Sequence, residues 1–242
     1  MTDTALIIAD QLVKRYGYRA VLHQLTLQIQ RGEFVALLGV NGGGKSTFLR
    51  LLAGLTRPTS GTLTVGGWAI PDEIAAVRGQ IGMVGHQPML YGTLTARENL
   101  AFFARLYPIT DAAARIQARI EQVGLKRHAD QPTRTFSRGM QQRLSIARAL
   151  LHDPALLLFD EPYTGLDQDA AALLDALLLE AHAEGRTILM TTHELDRAAR
   201  LAQRIIILQR GVVGYDSPAV GLDGLTLAAH YREVTGLAVA RE

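Results

Sequence analysis

Residues 34–47 read FVALLGVNGGGKST, and this stretch decides the fold. Its first five residues form an unbroken apolar run ending in glycine, the pattern of a strand buried on both faces in a parallel sheet. Gly39, Val40, Asn41, Gly42, Gly43, Gly44, Lys45, Ser46 and Thr47 then follow the order glycine, four residues, glycine, lysine, serine or threonine. They sit between that strand and a helix expected from Lys45 to about Leu55, the setting a phosphate-binding loop requires. Glycines let backbone N–H groups converge on phosphate oxygens, and the helix N-terminus adds a favourable dipole. Lys45 supplies a mobile charge for the β- and γ-phosphates, and Ser46 offers a hydroxyl to Mg²⁺. Lysine is scarce here, with Lys14, Lys45 and Lys126 the only three in the chain, so the one at position 45 stands out. By itself the loop specifies a nucleoside triphosphate, a property shared with GTPases and small-molecule kinases.

Upstream, the alternation through Leu22, Leu25, Leu27 and Ile29 predicts half-buried antiparallel strands between Leu6 and Ile29, with a turn near Tyr16-Gly17. Downstream, strands are expected at residues 61–65, 81–84, 155–159, 187–191 and 204–208, and helices at 168–183 and 194–201. Between Thr95 and Leu151 the composition turns to alanine, arginine and leucine at helical spacing, broken by Pro108 and Pro132. Strands alternating with helices imply an α/β fold with a mostly parallel sheet. The expected organisation is one contiguous chain: a core over about 1–87 and 152–215 carrying an antiparallel β subdomain, a helical insertion over about 88–151, and a tail over 216–242 with a short strand and a helix nearby.

A second chemical centre follows from Leu156-Leu157-Leu158-Phe159-Asp160-Glu161, an apolar strand ending in two acids. Asp160, at the tip, is placed to hold the Mg²⁺ shell directly or through water, and Glu161 to polarise an attacking water. The bland readings are a turn cap and a solvated glutamate. Thr191-Thr192-His193-Glu194 ends another apolar strand, so His193 should emerge on the same sheet edge, where ligands bind in this architecture. A lone histidine there can also be purely structural. Gln87, beyond the strand at 81–84, is likewise placed to reach the metal or its water.

Phe136-Ser137-Arg138-Gly139-Met140-Gln141-Gln142-Arg143, preceding a helix, resembles the signature of ABC ATPases. Arg138 and Met140 stand where the commonest form has glycine and glutamine, while Ser137 and Gly139 are intact. The family's other motifs follow in order over nearly the whole chain, so the resemblance implies a P-loop NTPase of ABC type. It further implies that Ser137 and Gly139 of one subunit close over the nucleotide held by another in a head-to-tail dimer, with itself or a homologous subunit. By the same resemblance Tyr16 stacks on adenine, Gln87 belongs to the loop that senses a transmembrane partner, Leu166-Asp167 couples the two subunits, and His193 contacts the γ-phosphate. ATP and Mg²⁺ are the implied cofactors, with Ser46, Gln87 and Asp160 around the metal and Glu161 as principal base. The implied activity is ATP hydrolysis that energises a separate integral membrane transporter subunit, touched by the surface at about 88–98.

Composition bounds these expectations. A net charge of +2 with interspersed signs argues against a nucleic-acid partner, and the absence of cysteine excludes disulfides and thiolate chemistry. No apolar run approaches the roughly 20 residues of a membrane span, and Met1-Thr2-Asp3-Thr4 does not open a secretory signal. The expected location is therefore cytoplasmic, and the resemblance implies a peripheral one on the cytoplasmic face of the membrane. A soluble ABC ATPase working on a cytosolic scaffold, similar to that of iron-sulfur cluster assembly, is the alternative. No Asn-Lys-x-Asp guanine motif occurs. For the cargo, Gly85-His86-Gln87-Pro88 with residues 94–100 resembles the haem-exporter ATPase of cytochrome c maturation, although generic exporters share many of these residues.

Overall fold

The computed structural model describes residues 5–236, so the reading of Met1-Thr2-Asp3-Thr4 and the end of the tail lie outside the described residues. The chain opens with β1 (Ala5–Tyr16) and β2 (Arg19–Gln30), a bulged antiparallel pair, and then enters the apolar run as β3 (Phe34–Gly39). α1 (Lys45–Leu52) follows the phosphate loop, and β4 (Ser60–Val65), β5 (Trp68–Ala69), α2 (Ile74–Gly79) and β6 (Ile81–Val84) come next. The helical stretch consists of α3 (Ala96–Ala104), α4 (Ala112–Gln122) and α5 (Arg138–Ala149). Alternation then resumes with β7 (Leu156–Asp160), α6 (Gln168–Ala183), β8 (Thr187–Thr191), α7 (Leu195–Leu201) and β9 (Arg204–Gln209), before β10 (Val212–Pro218) and α8 (Gly224–Thr235).

Two sheets result. β2-β1-β4-β5 form an antiparallel sheet, and β10-β9-β3-β8-β7-β6 form a larger one that is parallel except for β10. Apolar runs in its central strands are explained by two-sided burial. Phe34, Ala36, Leu38, Leu157, Phe159, Ile188 and Met190 join a core cluster with α3–α8, while Val35, Leu37, Leu156, Leu158 and Leu189 join another with α1 and the antiparallel sheet. Successive side chains point to opposite faces, so a strand covered on both sides must be apolar throughout.

α1 stops at Leu52, three residues short of the expected end. Gly54 adopts φ +63°, and the N–H groups of Gly54 and Leu55 donate to the carbonyls of Leu51 and Arg50, a glycine-terminated helix end that apolar periodicity does not reveal. α2 was not anticipated either. It has six residues and buries only Val77, too little for a periodic signal. Thr95 caps α3, with a reciprocal bond pair to Glu98.

Candidate active site

β3, β8, β7 and β6 are consecutive neighbours, with Leu37 and Asp160 both registered on Thr191 and Val84 registered on Phe159. Their carboxyl ends therefore share one edge. The phosphate loop, Glu161, His193 and Gln87 all leave from it.

Within the phosphate loop, Gly39, Gly42 and Gly44 have φ of 144°, 76° and 105°. A Cβ on Gly39 would stand 2.4 Å from the Leu208 carbonyl oxygen, and one on Gly44 would stand 2.6 Å from Leu22 Cδ2. Dihedral and space both demand glycine at Gly39, and the dihedral demands it at Gly44. Gly44 caps α1 with no side chain, which leaves the first-turn N–H groups without a side-chain acceptor and suited to an anion. Asn41 and Gly42 are exposed, Gly43 is buried and Thr47 is half-buried. Lys45 is buried, and its ammonium donates to the carbonyls of Gly39 at 2.6 Å and Val40 at 3.2 Å. Burial pulls its pKa below the ordinary lysine value, against the opposing charges of Glu161 and Asp160.

Asp160 meets the loop directly. Its Oδ1 accepts from Ser46 Oγ at 2.9 Å and from Thr191 Oγ1 at 2.9 Å. A hydroxyl and a carboxylate so placed are the oxygen pair that Mg²⁺ takes from a protein when nucleotide phosphates supply other ligands. Among the described residues no group of three or more His, Asp or Glu is gathered to cage a metal unaided, so the donor set fits that shared mode.

Glu161 stands in the left-handed region at φ +54°, with its N–H directed at both the Oγ1 (3.0 Å) and the carbonyl (3.2 Å) of Thr191. His193 Nε2 approaches Glu161 Oε1 at 3.0 Å. That approach lacks the direction of a hydrogen bond, so the buried Oε1 has no directed donor. A buried acceptor in this state suits a group that enters the site and donates a proton. Gln87 is exposed three residues past the end of β6.

Tyr16 closes β1 half-exposed, with the Lys14 ammonium 4.9 Å from its ring centroid. Its cross-strand partner Arg19 brings a guanidinium nitrogen to 3.9 Å from where a Cβ on Gly42 would stand, so the hairpin tip borders the phosphate loop. Ser137 caps α5, accepting from Met140 N–H at 3.2 Å, which leaves its hydroxyl proton free to donate. A Cβ on Gly139 would stand 3.2 Å from Ala170 Cβ, Arg138 Nε donates to the Thr164 carbonyl at 2.8 Å, and Asp167 caps α6 through Ala170 N–H at 2.8 Å. Gly139 and Asp167 thus adjoin at Ala170, with Ser137 capping the same helix two residues before Gly139.

Thr191 escaped the sequence reading. The only signal was a hydroxyl closing an apolar strand next to His193. It is fully buried and braces both acids, so Thr191→Val is expected to lower ATP turnover by about 10-fold or more. Steady-state phosphate release checks this, with an unchanged rate as the contrary result.

The profile of the ABC transporter family matches residues 22–164. The Nod factor export ATP-binding protein I of Cupriavidus pinatubonensis is 40% identical over 210 residues, covering 86% of this chain and 65% of that protein. The chain therefore spans just under two thirds of that relative's length. A solved structure of an ATP binding subunit of an ABC transporter superposes with a TM-score of 0.86 at 32% identity, over 95% of this chain and 99% of the other. A dimeric ATP-binding cassette in a post-hydrolysis state, bound to ADP and Pi, superposes at 0.81 with 29% identity, over 89% and 100%.

Proposed function

The chain belongs to the ABC transporter family of ATP-binding proteins, and from that membership we propose that it is the ATP-hydrolysing subunit energising export through a separate membrane-spanning subunit. The observation that carries hydrolysis is the pairing of a Ser46–Asp160 oxygen couple with a Glu161 carboxylate whose buried oxygen lacks a directed donor.

Lys45 and the α1 N-terminus hold the β- and γ-phosphates, and Tyr16 stacks on the adenine. Ser46 and Asp160, with Gln87, hold Mg²⁺, which when bound offsets phosphate charge. Glu161 accepts the proton of the attacking water, and His193, beside that carboxylate, contacts the γ-phosphate. Ser137 and Gly139 complete the site from a second subunit, since Gly139 adjoins Ala170 within its own chain. The dimeric relative supports that arrangement, and Asp167 lies beside the same junction.

Among the described residues no helix is long and apolar enough to cross a membrane, and we assign the spans to the partner, with this chain peripheral on the cytoplasmic face. The partner surface is the segment after Gln87. Met89, Tyr91 and Phe102 are exposed, Tyr91 and Phe102 stack edge-on with centroids 4.9 Å apart, and a cavity of about 220 Å³ lined by Met83, Met89, Phe103 and Tyr107 together with Arg78, Arg148 and His152 opens beside them. An apolar patch of this kind suits a docked partner segment. Replacing the side chains of residues 89–93 by serine is expected to abolish transport in reconstituted vesicles while the basal ATPase rate persists. Transport at full strength in such variants overturns the contact.

The export relative supports export in general. For the cargo we retain haem for cytochrome c maturation, on the residues at 85–88 and 94–100, beside a generic exporter's substrate. Transport assays with haem in the same vesicles separate the two.

A further inference from the structure

Arg148, in the last turn of α5, is buried, and among the described residues no carboxylate pairs with it. A buried cation without a counter-charge costs several kcal/mol unless its donors are well used. Here Nη2 donates to the Met83 carbonyl at 2.7 Å, Nη1 donates to the Met89 carbonyl at 3.2 Å, and the guanidinium carbon lies 5.1 Å from the Phe103 ring centroid. Those two carbonyls bracket residues 84–88, the segment that carries Gln87. Three residues back on α5, Ser145 Oγ lies 2.8 Å from the Pro88 carbonyl, to which it donates in competition with the Gln141 carbonyl of its own helix at 3.0 Å. One side of the loop is thus fixed at three points.

The same helix also grips the loop that follows Glu161. Gln142 Nε2 donates to the Pro162 carbonyl at 3.0 Å, and Arg138 Nε to that of Thr164 at 2.8 Å. Positions 138, 142, 145 and 148 recur every three or four residues, so they form one stripe on α5. The loop that carries Gln87 and the loop that follows Glu161 are thus held by one helix.

We propose that Arg148, assisted by Ser145, is the positioning residue for Gln87, holding it in register with Glu161 through α5. A guanidinium is suited to this task because its planar fork reaches two carbonyls at once, whereas a lysine ammonium in its place keeps the charge and reaches one. The inference rests on the reading that Gln87 serves the metal or its water.

The test is a double-mutant cycle on the full chain, with turnover measured at saturating ATP alongside ATP and Mg²⁺ titrations. Arg148→Lys is expected to lower kcat by about 10- to 100-fold and to raise the Mg²⁺ half-saturation point, with the KM for ATP nearly unchanged and the melting temperature lowered, because the buried ammonium satisfies one carbonyl of the two. In a Gln87→Ala background the same substitution should cost no further activity, because the group it positions is gone. Full additivity of the two losses overturns the inference and leaves the Gln87 reading standing. Wild-type turnover in Gln87→Ala overturns both. If Arg148→Lys does not fold, Ser145→Ala takes its place in the cycle and decides by the same criterion.

Discussion

Glu161→Gln is expected to hydrolyse ATP about 10²- to 10⁴-fold more slowly than the wild type, the range associated with loss of a positioned general base. The amide matches the carboxylate in shape, so the left-handed backbone at Glu161 and its bonds to Thr191 are kept. What disappears is an oxygen able to take the proton of the attacking water. Binding survives while turnover fails, so the variant should accumulate as an ATP-bound dimer. Size-exclusion chromatography with ATP present reports the dimer, and phosphate release reports the rate. Hydrolysis at the wild-type rate removes Glu161 from the role of base.

Lys45→Met acts at the other end of the reaction. It deletes the ammonium that bonds the Gly39 and Val40 carbonyls. By this reading it also deletes the mobile charge that follows the β- and γ-phosphates. Removing one preorganised donor to developing charge costs about 10²- to 10³-fold in turnover, and ATP affinity should fall as well. The position is almost wholly buried, so methionine, similar in length and uncharged, should leave the melting temperature nearly the same. Arginine should not rescue, because its planar guanidinium does not fit where a compact ammonium sits against two carbonyls. Nucleotide titration and thermal melting together separate lost binding from lost folding. Undiminished turnover in Lys45→Met contradicts the assignment.

Much of the site was legible because its parts are local. The glycines of residues 39–44 announce a backbone that only glycine can adopt, and an apolar strand ending in Asp160-Glu161 places two acids where a parallel sheet presents its ligands. The α6 helix was legible from end to end by its spacing over 168–183, and the structure adds Asp167 as its N-cap. Legibility failed where a signal was short, as at α2, or where a glycine rather than a loss of periodicity ended the element, as at Gly54.

By itself, the sequence determined a buried strand, a phosphate loop and a following helix, an alternating α/β chain, and the residue types available at each strand end. These follow from periodicity and backbone sterics, which act over a few residues. Only the tertiary structure decided that Ser46 and Asp160, 114 positions apart, share a hydrogen bond, that Thr191 braces both acids, that His193 meets Glu161, and that Arg148 holds the ends of the Gln87 loop. Those contacts depend on the strand order β10-β9-β3-β8-β7-β6 and on how α5 lies against the strand ends. No local pattern carries that information, because it is set by which elements bury one another's faces.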